Sequence, residues 1–276
     1  MLLSSSQSSA HARVPHLPPL VHPAGNIATS MMAGAIAAYL ELYPLLFLPP
    51  LILLLNDSKK SNVALKSLVI FTATVAGLLA SSYFLIDSWN FIESTYGAIL
   101  FVHDLTPNIG LWWYFFIEMF NSFRAFFTVV FQLHLVIYVA PLCIKLRFVS
   151  LYPVLYRNNP LFVCVIISGI ISIFKSYPSV SDLSLFQNLL FFFPEIFSRM
   201  RYTFFSTSTL LYTTLLGPAF YHLWIISGTG NANFFYAITL VHTLAQTVTL
   251  SDALYAMLRL EWDLQTGKHG IKVFQI

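Results

Sequence analysis

The stretch Val63–Ile86 carries a single charged side chain, Lys66, and is long enough to cross a bilayer as one helix. Apolar stretches of this kind recur along the chain. They leave little room for any fold in which the surface must be wetted. Of 276 residues, 57% are hydrophobic and only 9% are charged. Soluble domains carry about 25% charged residues. The shortfall excludes a soluble globular enzyme and, equally, a disordered chain. A net charge of +3 gives no case for a nucleic-acid partner. The 2 cysteines, Cys143 and Cys164, both sit in apolar surroundings, which argues against a disulfide framework or a zinc site. The expected fold is all-α: a polytopic transmembrane helical bundle.

The stretches are uneven. Ile27–Leu55 exceeds one crossing and is interrupted by Glu41, Pro44, Pro49 and Pro50. It predicts two short helices meeting near Leu42-Tyr43-Pro44, with one kinked span as the alternative. Further spans are predicted at Val63–Ile86, Leu111–Ile144, Leu161–Phe174, Leu183–Phe197, Phe204–Ile226 and Phe234–Leu258. The second of these opens on the interfacial pair Trp112-Trp113. Such lengths suggest broken or tilted helices around a cavity. Residues 1–25 are rich in Ser and Pro and contain one Arg, Arg13, and no acid. They read as a disordered segment, with an organellar transit peptide as the alternative. Residues 26–262 form the membrane domain, and 263–276 a short tail.

Loop charge sets the orientation. Lys59, Lys60 and Lys66 cluster after the first span, Lys145, Arg147 and Arg157 after the third, and Arg199 and Arg201 after the fifth. Arg259, Lys268 and Lys272 follow the last. The intervening loops are poor in Lys and Arg: Asp87–Asn108 holds three acids and no Lys or Arg, and Ser227–Asn233 no charge. The positive-inside rule places the basic loops and the C-terminus in the cytosol. Asp87–Asn108, Lys175–Asp182 and Ser227–Asn233 then share the opposite face, where chemistry or headgroup recognition is expected.

Charged groups in a span are functional candidates by default. Glu118 and Arg124 lie about 120° apart on a helix and do not make an i,i+4 pair. Glu118 is expected near the interface, with Arg124 snorkelling or pairing with another helix. Asp252 and Arg259 share a face and read as a helix-end pair. His134 and His222 read as packing residues, and no acidic, His or Cys set stands at metal spacing. Between Lys175 and Asp182 the chain reads Lys-Ser-Tyr-Pro-Ser-Val-Ser-Asp. Asp182 reads as the N-cap of the next helix, and Lys175 as its partner or that of a lipid phosphate. In Gly228-Thr229-Gly230-Asn231-Ala232-Asn233, Asn233 either caps the last span or, with Asn231, offers amides to a hydroxyl-rich headgroup. No Gly-rich phosphate loop and no G-x-S-x-G elbow occurs.

Several polar-containing strings together resemble one family. They are Asp104-Leu105-Thr106-Pro107-Asn108-Ile109-Gly110-Leu111-Trp112, Trp113-Tyr114-Phe115-Phe116, Glu118-Met119-Phe120, Ile173-Phe174-Lys175-Ser176-Tyr177-Pro178 with Asp182, His222-Leu223-Trp224-Ile225, and Asn233-Phe234-Phe235-Tyr236-Ala237-Ile238-Thr239-Leu240. From about Ile27 to about Glu261 the chain resembles the multi-spanning U subunit of the glycosylphosphatidylinositol (GPI) transamidase. Residues 1–25 do not, and the family's members are longer at the N-terminus. The resemblance implies a multi-pass protein of the endoplasmic reticulum membrane, with a fold like that of the polytopic GPI mannosyltransferases. It implies a non-catalytic subunit, without cofactor or metal, that helps position the GPI lipid. Its partners would be the other subunits, including the cysteine-protease-like one that carries the nucleophile. Lys175, Tyr177, Asp182, Asn231 and Asn233 are the lipid-binding candidates. A mannosyltransferase using a lipid-linked sugar is the first alternative and a transporter the second.

Overall fold

The computed structural model describes residues 26–55, 62–148 and 160–266. Residues 1–25, and the cations Lys59, Lys60, Arg157, Lys268 and Lys272, lie outside them. Every regular element among the described residues is helical.

Helix α1 (Ile27–Leu40) opens at Asn26, whose side-chain oxygen accepts the Ala28 amide at 3.0 Å. The chain turns extended at Glu41, makes a 3₁₀ turn over Tyr43–Phe47 and continues as α2 (Leu48–Leu55). Pro44, Pro49 and Pro50 all fall in first turns, where a missing N–H leaves no hydrogen bond unmade. The two-helix reading therefore holds over the single kinked span. Helix α3 (Val63–Ile86) has the expected bounds. It packs on α1 through Phe71 and Val63 against Met31, Ala35 and Ala38, and the alanines let the backbones approach.

The 87–108 stretch, expected as a polar loop, contains helix: α4 (Asn90–Ile92), a π turn Glu93–Gly97 and α5 (Ala98–Phe101). Tyr96 donates to the Tyr39 carbonyl and ties this piece to α1. The Trp-Trp segment is a helix of its own, α6 (Trp113–Glu118), because Met119 and Phe120 are extended. Helices α7 (Asn121–Ile137) and α8 (Val139–Phe148) follow, then α9 (Pro160–Phe174). The expected Leu183–Phe197 helix starts earlier and is broken: α10 (Val180–Leu190) ends ahead of Pro194, which opens α11 (Pro194–Phe197). Helix α12 (Thr203–Tyr221) runs into a π turn at His222–Ile226. Helix α13 (Ala232–Thr266) is longer at its far end than the expected Phe234–Leu258.

Among the described residues, four helical stretches are long and apolar enough to cross a membrane: Val63–Ile86, Asn121–Ile144, Thr203–Ile226 and Ala232–Asp263. Their outer faces carry bare apolar side chains such as Phe84, Leu85 and Phe204. Helix α9 is different. It is apolar on all sides and buried from Phe162 to Ile173, with α2, α7, α8, α10 and α13 around it. At about 1.5 Å per residue it is shorter than the hydrocarbon layer. Gly169 lets the neighbours close in. A methyl there would meet Leu250 at 2.7 Å and the Phe186 ring at 3.0 Å.

Candidate functional site

Two of the three loops expected on one face meet directly, through Tyr177 and Asp104, and the third, Ser227–Asn233, is reached only through Tyr114 on α6. Lys175 lies just past α9 with its side chain only 6% exposed. Its Nζ donates to Asp182 Oδ1 at 2.8 Å and to Glu41 Oε1. It also stands 5.9 Å from the centre of the Tyr43 ring. Burial disfavours the ammonium, but the hydrogen bonds to Asp182 and Glu41 outweigh it and hold the Lys175 pKa above its usual value. The cation is therefore fully met from inside the protein, by a carboxylate that sequence reasoning used only as a helix break. The one signal for Glu41 was a charge inside an apolar stretch, which is costly without a partner.

Asp182 is not the cap expected of it. Ser179 is the N-cap and Asp182 is the third helical residue, with Oδ2 accepting the Ser179 amide at 2.7 Å in a capping box. Two competent caps stood three residues apart, and the pull of Lys175 on Oδ1 suits the inner position. Beside them, Ser176 is buried and saturated. Its hydroxyl donates to the Ile99 carbonyl at 3.0 Å and accepts from Gln132 at 2.9 Å and from Tyr43 at 3.1 Å. Gln132, Tyr43 and Ser176 were all missed from sequence, since none carries charge.

Tyr177 points the other way. Its hydroxyl accepts the Asp104 amide at 3.0 Å and donates to the Asp104 carbonyl at 2.9 Å. Asp104 in turn takes the Thr106 hydroxyl and amide, which keep its carboxyl below the usual carboxylate range. The Asp104–Trp112 segment is pinned further along. Gly110 sits where a Cβ would strike Pro178 at 2.7 Å, and Trp112 Nε1 donates to the Phe174 carbonyl at 2.9 Å. Arg124 reaches Val102, donating to its carbonyl at 2.6 Å. Val102 has φ 51°, a strained value for a β-branched residue, and this contact helps hold it. Glu118 is exposed.

The pinned segment delivers α6 to the third loop. Trp113 packs against Trp224, Phe235 and Tyr236, and Tyr114 stacks on Tyr236 at 4.4 Å. The Tyr114 hydroxyl donates to Asn233 Oδ1. Asn231, not Asn233, acts as the cap of α13, accepting the Phe234 amide at 3.3 Å. Both side chains are exposed, and among the described residues neither amide NH₂ has an acceptor. The arrangement thus spends both amide oxygens internally and presents the NH₂ donors at the N-terminus of a long helix, where negative charge is favoured. Lys175 and Asp182 form one cluster and Asn231 and Asn233 another, and the 102–118 segment bridges them.

Elsewhere, Asp252 does not make the expected pair with Arg259. It accepts the Arg201 amide at 3.0 Å and the Tyr202 amide at 2.8 Å just before α12, while Arg259 meets Asp263 at 3.0 Å. His134 bonds to the Val130 carbonyl at 3.0 Å and packs on Trp112 and Phe174. Cys143 and Cys164 are buried, and no three His, Cys, Asp or Glu among the described residues could hold a metal ion.

Comparison with known proteins decides the family. The family model described as "GPI transamidase subunit PIG-U" matches residues 5–242. The chain belongs to the PIG-U family. The match takes in most of the N-terminal segment that the residues alone had left outside the resemblance. The GPI transamidase component GAB1 of Saccharomyces cerevisiae is 37% identical over 254 residues, covering 91% of this chain and 61% of the yeast protein. The GPI-anchor transamidase component PIGU of Mus musculus is 39% identical over 253 residues, covering 88% of this chain and 56% of the mouse protein. The human protein of the same name is 38% identical over 253 residues, with coverage of 88% and 56%. The chain thus spans about three-fifths of the length of these curated PIG-U relatives. Their names do not favour the mannosyltransferase alternative.

Proposed function

We propose that this chain serves as a non-catalytic component of a GPI transamidase in the endoplasmic reticulum membrane. Its partners there are the other subunits, the cysteine-protease-like catalytic subunit among them, and its C-terminus lies in the cytosol. The loop-rich end helps bind and position the GPI lipid for transfer to precursor proteins. The names of the relatives support the first part of this reading, and the loop charges support the orientation.

The observation that carries the lipid role is the pair of exposed, unpaired amide donors on Asn231 and Asn233 at the start of α13. Donors without acceptors, beside a helix N-terminus, suit the phosphate and hydroxyl oxygens of a glycan headgroup. Lys175, Tyr177 and Asp182 belong to the same site as its frame. Lys175 and Asp182 lock α9, α10 and the Glu41 turn together, and Tyr177 holds the loop that carries Tyr114 to Asn233.

The test is Asn233→Asp against Asn233→Ser, in a full-length form expressed in cells lacking their own subunit. Asp still accepts from Tyr114 and its charge favours the helix N-terminus, so assembly is expected to hold. It has lost the donors and repels phosphate. Surface display of a GPI-anchored reporter is expected to fall well below the Ser level, with recovery of the catalytic subunit in pull-downs unchanged. Equal display for Asn, Ser and Asp would remove Asn233 from the site.

A further inference from the structure

The end of the bundle away from Asn233 carries a second, separate feature. A cleft of about 310 Å³ lies between the chain just before α12 and the face of α13 around Thr247, Ser251 and Tyr255. Counting about 1.5 Å per residue, Tyr255 stands about 33 Å along α13 from Asn233. That is about one hydrocarbon thickness, so the cleft sits at the opposite headgroup level.

Arg201 lines this cleft and is exposed. Its guanidinium donates to the Tyr255 hydroxyl and lies 4.2 Å from the centre of the Tyr255 ring. That contact fixes the fork, and it leaves Nε and Nη1 without an acceptor among the described residues. The carboxylate of Asp252 is turned to the Arg201 and Tyr202 backbone amides and makes no hydrogen bond to the Arg201 guanidinium. The walls are mainly carbon, from Val248 and the two tyrosine rings. Next in the chain after Tyr202, in the first turn of α12, Phe204 and Phe205 are 85% and 50% exposed.

We propose that this cleft holds the phosphodiester of a glycerophospholipid from the leaflet opposite the Asn231–Asn233 end. A guanidinium fork matches phosphate geometry. The neighbouring hydroxyl of Ser251 adds a hydrogen-bonding group, and the phenylalanines flank the acyl chains. A free phosphate fits less well: one exposed cation holds a hydrated ion weakly, whereas a lipid adds apolar contact. This inference is independent of the GPI-binding proposal.

The experiment uses the full chain in phosphatidylcholine nanodiscs doped with a phosphatidylcholine carrying a photoactivatable diazirine near the headgroup. Labelling is mapped by peptide mass spectrometry. The wild type is expected to be labelled on the segment containing Val248 and Tyr255. Arg201→Gln is expected to lower that labelling at least fivefold, with labelling around Phe84 and Leu85 on α3 unchanged. Ser251→Phe fills the cleft and keeps the Arg201 side chain, and is expected to lower it as well. It therefore tests the site even where Arg201→Gln disturbs the turn. Inorganic phosphate at tens of millimolar is expected to leave labelling intact. Equal labelling in the wild type and both variants would overturn the proposal. Displacement by inorganic phosphate would overturn it too, in favour of a small-anion site.

Discussion

At the scale of single residues, the decisive feature is a lysine with two carboxylates at the end of a buried helix. Removing only the cation leaves Glu41 and Asp182 facing each other. Breaking a buried pair costs about 3–5 kcal/mol, and the 43% exposure of the Glu41 side chain puts this case at the lower end. Lys175→Met is therefore expected to lower the thermal midpoint sharply. Adding Glu41→Gln and Asp182→Asn to that variant is expected to recover much of the loss, because no unpaired charge remains. If the triple variant is no better than Lys175→Met alone, the three charges are not one unit. The pH dependence has a definite sign. The folded pKa of Lys175 is raised, so its stabilisation is fully present below the unfolded value of about 10.4 and fades as pH rises through the folded one. Between pH 6 and 9 the difference in midpoint between wild type and Lys175→Met should gain no slope from Lys175. Midpoints measured across that range check this.

At the scale of elements, α13 deserves comparison with an ordinary apolar span. Thr239, His242, Thr243, Gln246, Thr249 and Asp252 are all buried and recur at helical spacing, so one face of a membrane-length helix is polar. Gln246 accepts from Ser172 on α9 at 2.8 Å, and His242 Nδ1 meets Thr213 on α12 at 2.9 Å. Among lipid tails apolar burial gives no hydrophobic drive, so close packing and these bonds must hold the helices together. Ser172→Ala is expected to cost about 0.6 kcal/mol and at most about 1.7, as for other such bonds in membranes. Gly169 tests the packing. Gly169→Ala is expected to destabilise by about 1–3 kcal/mol through overpacking against Leu250 and Phe186. Leu250→Ala in the same chain should relieve part of it, because the close contact is with the end of that side chain. A double-mutant cycle on midpoints in detergent measures the coupling, and additive losses would place the strain elsewhere.

At the scale of the whole molecule, the bundle has two unlike ends. One carries the loops joined through Ser176, Tyr177 and Tyr114. The other carries Arg199, Arg201 and Arg259, bonded to Asp263, Tyr255 and the same Asp263. If the first end is luminal, a glycosylation acceptor engineered into Ser227–Asn233 is expected to be modified, and one appended after Ile276 is not. Modification of the C-terminal site alone would invert the orientation and with it the proposed lipid site. Gel mobility before and after deglycosylation reads both outcomes.

The helical membrane architecture was legible in the residues because it is a local property. A long run without charge can satisfy its backbone in lipid only as a helix, so α3 and α12 followed from Val63–Ile86 and Phe204–Ile226 almost residue for residue. The break before α2 followed from prolines, whose effect is also local. Counting loop charges put the three loops on one face as an expectation, and packing joined two of them directly and the third only through α6. Which groups bond to which was decided only by tertiary structure. Glu41 lies 134 residues from Lys175, and Tyr114 lies 119 from Asn233. A buried cation demands a carboxylate, but the demand does not name the donor helix. That depends on how α1 and α9 pack, and so on side chains spread over the whole chain. The same packing turned Asp252 toward the amides before α12 and away from Arg259, because an unpaired helix start close by needed an acceptor that no neighbour in sequence supplied.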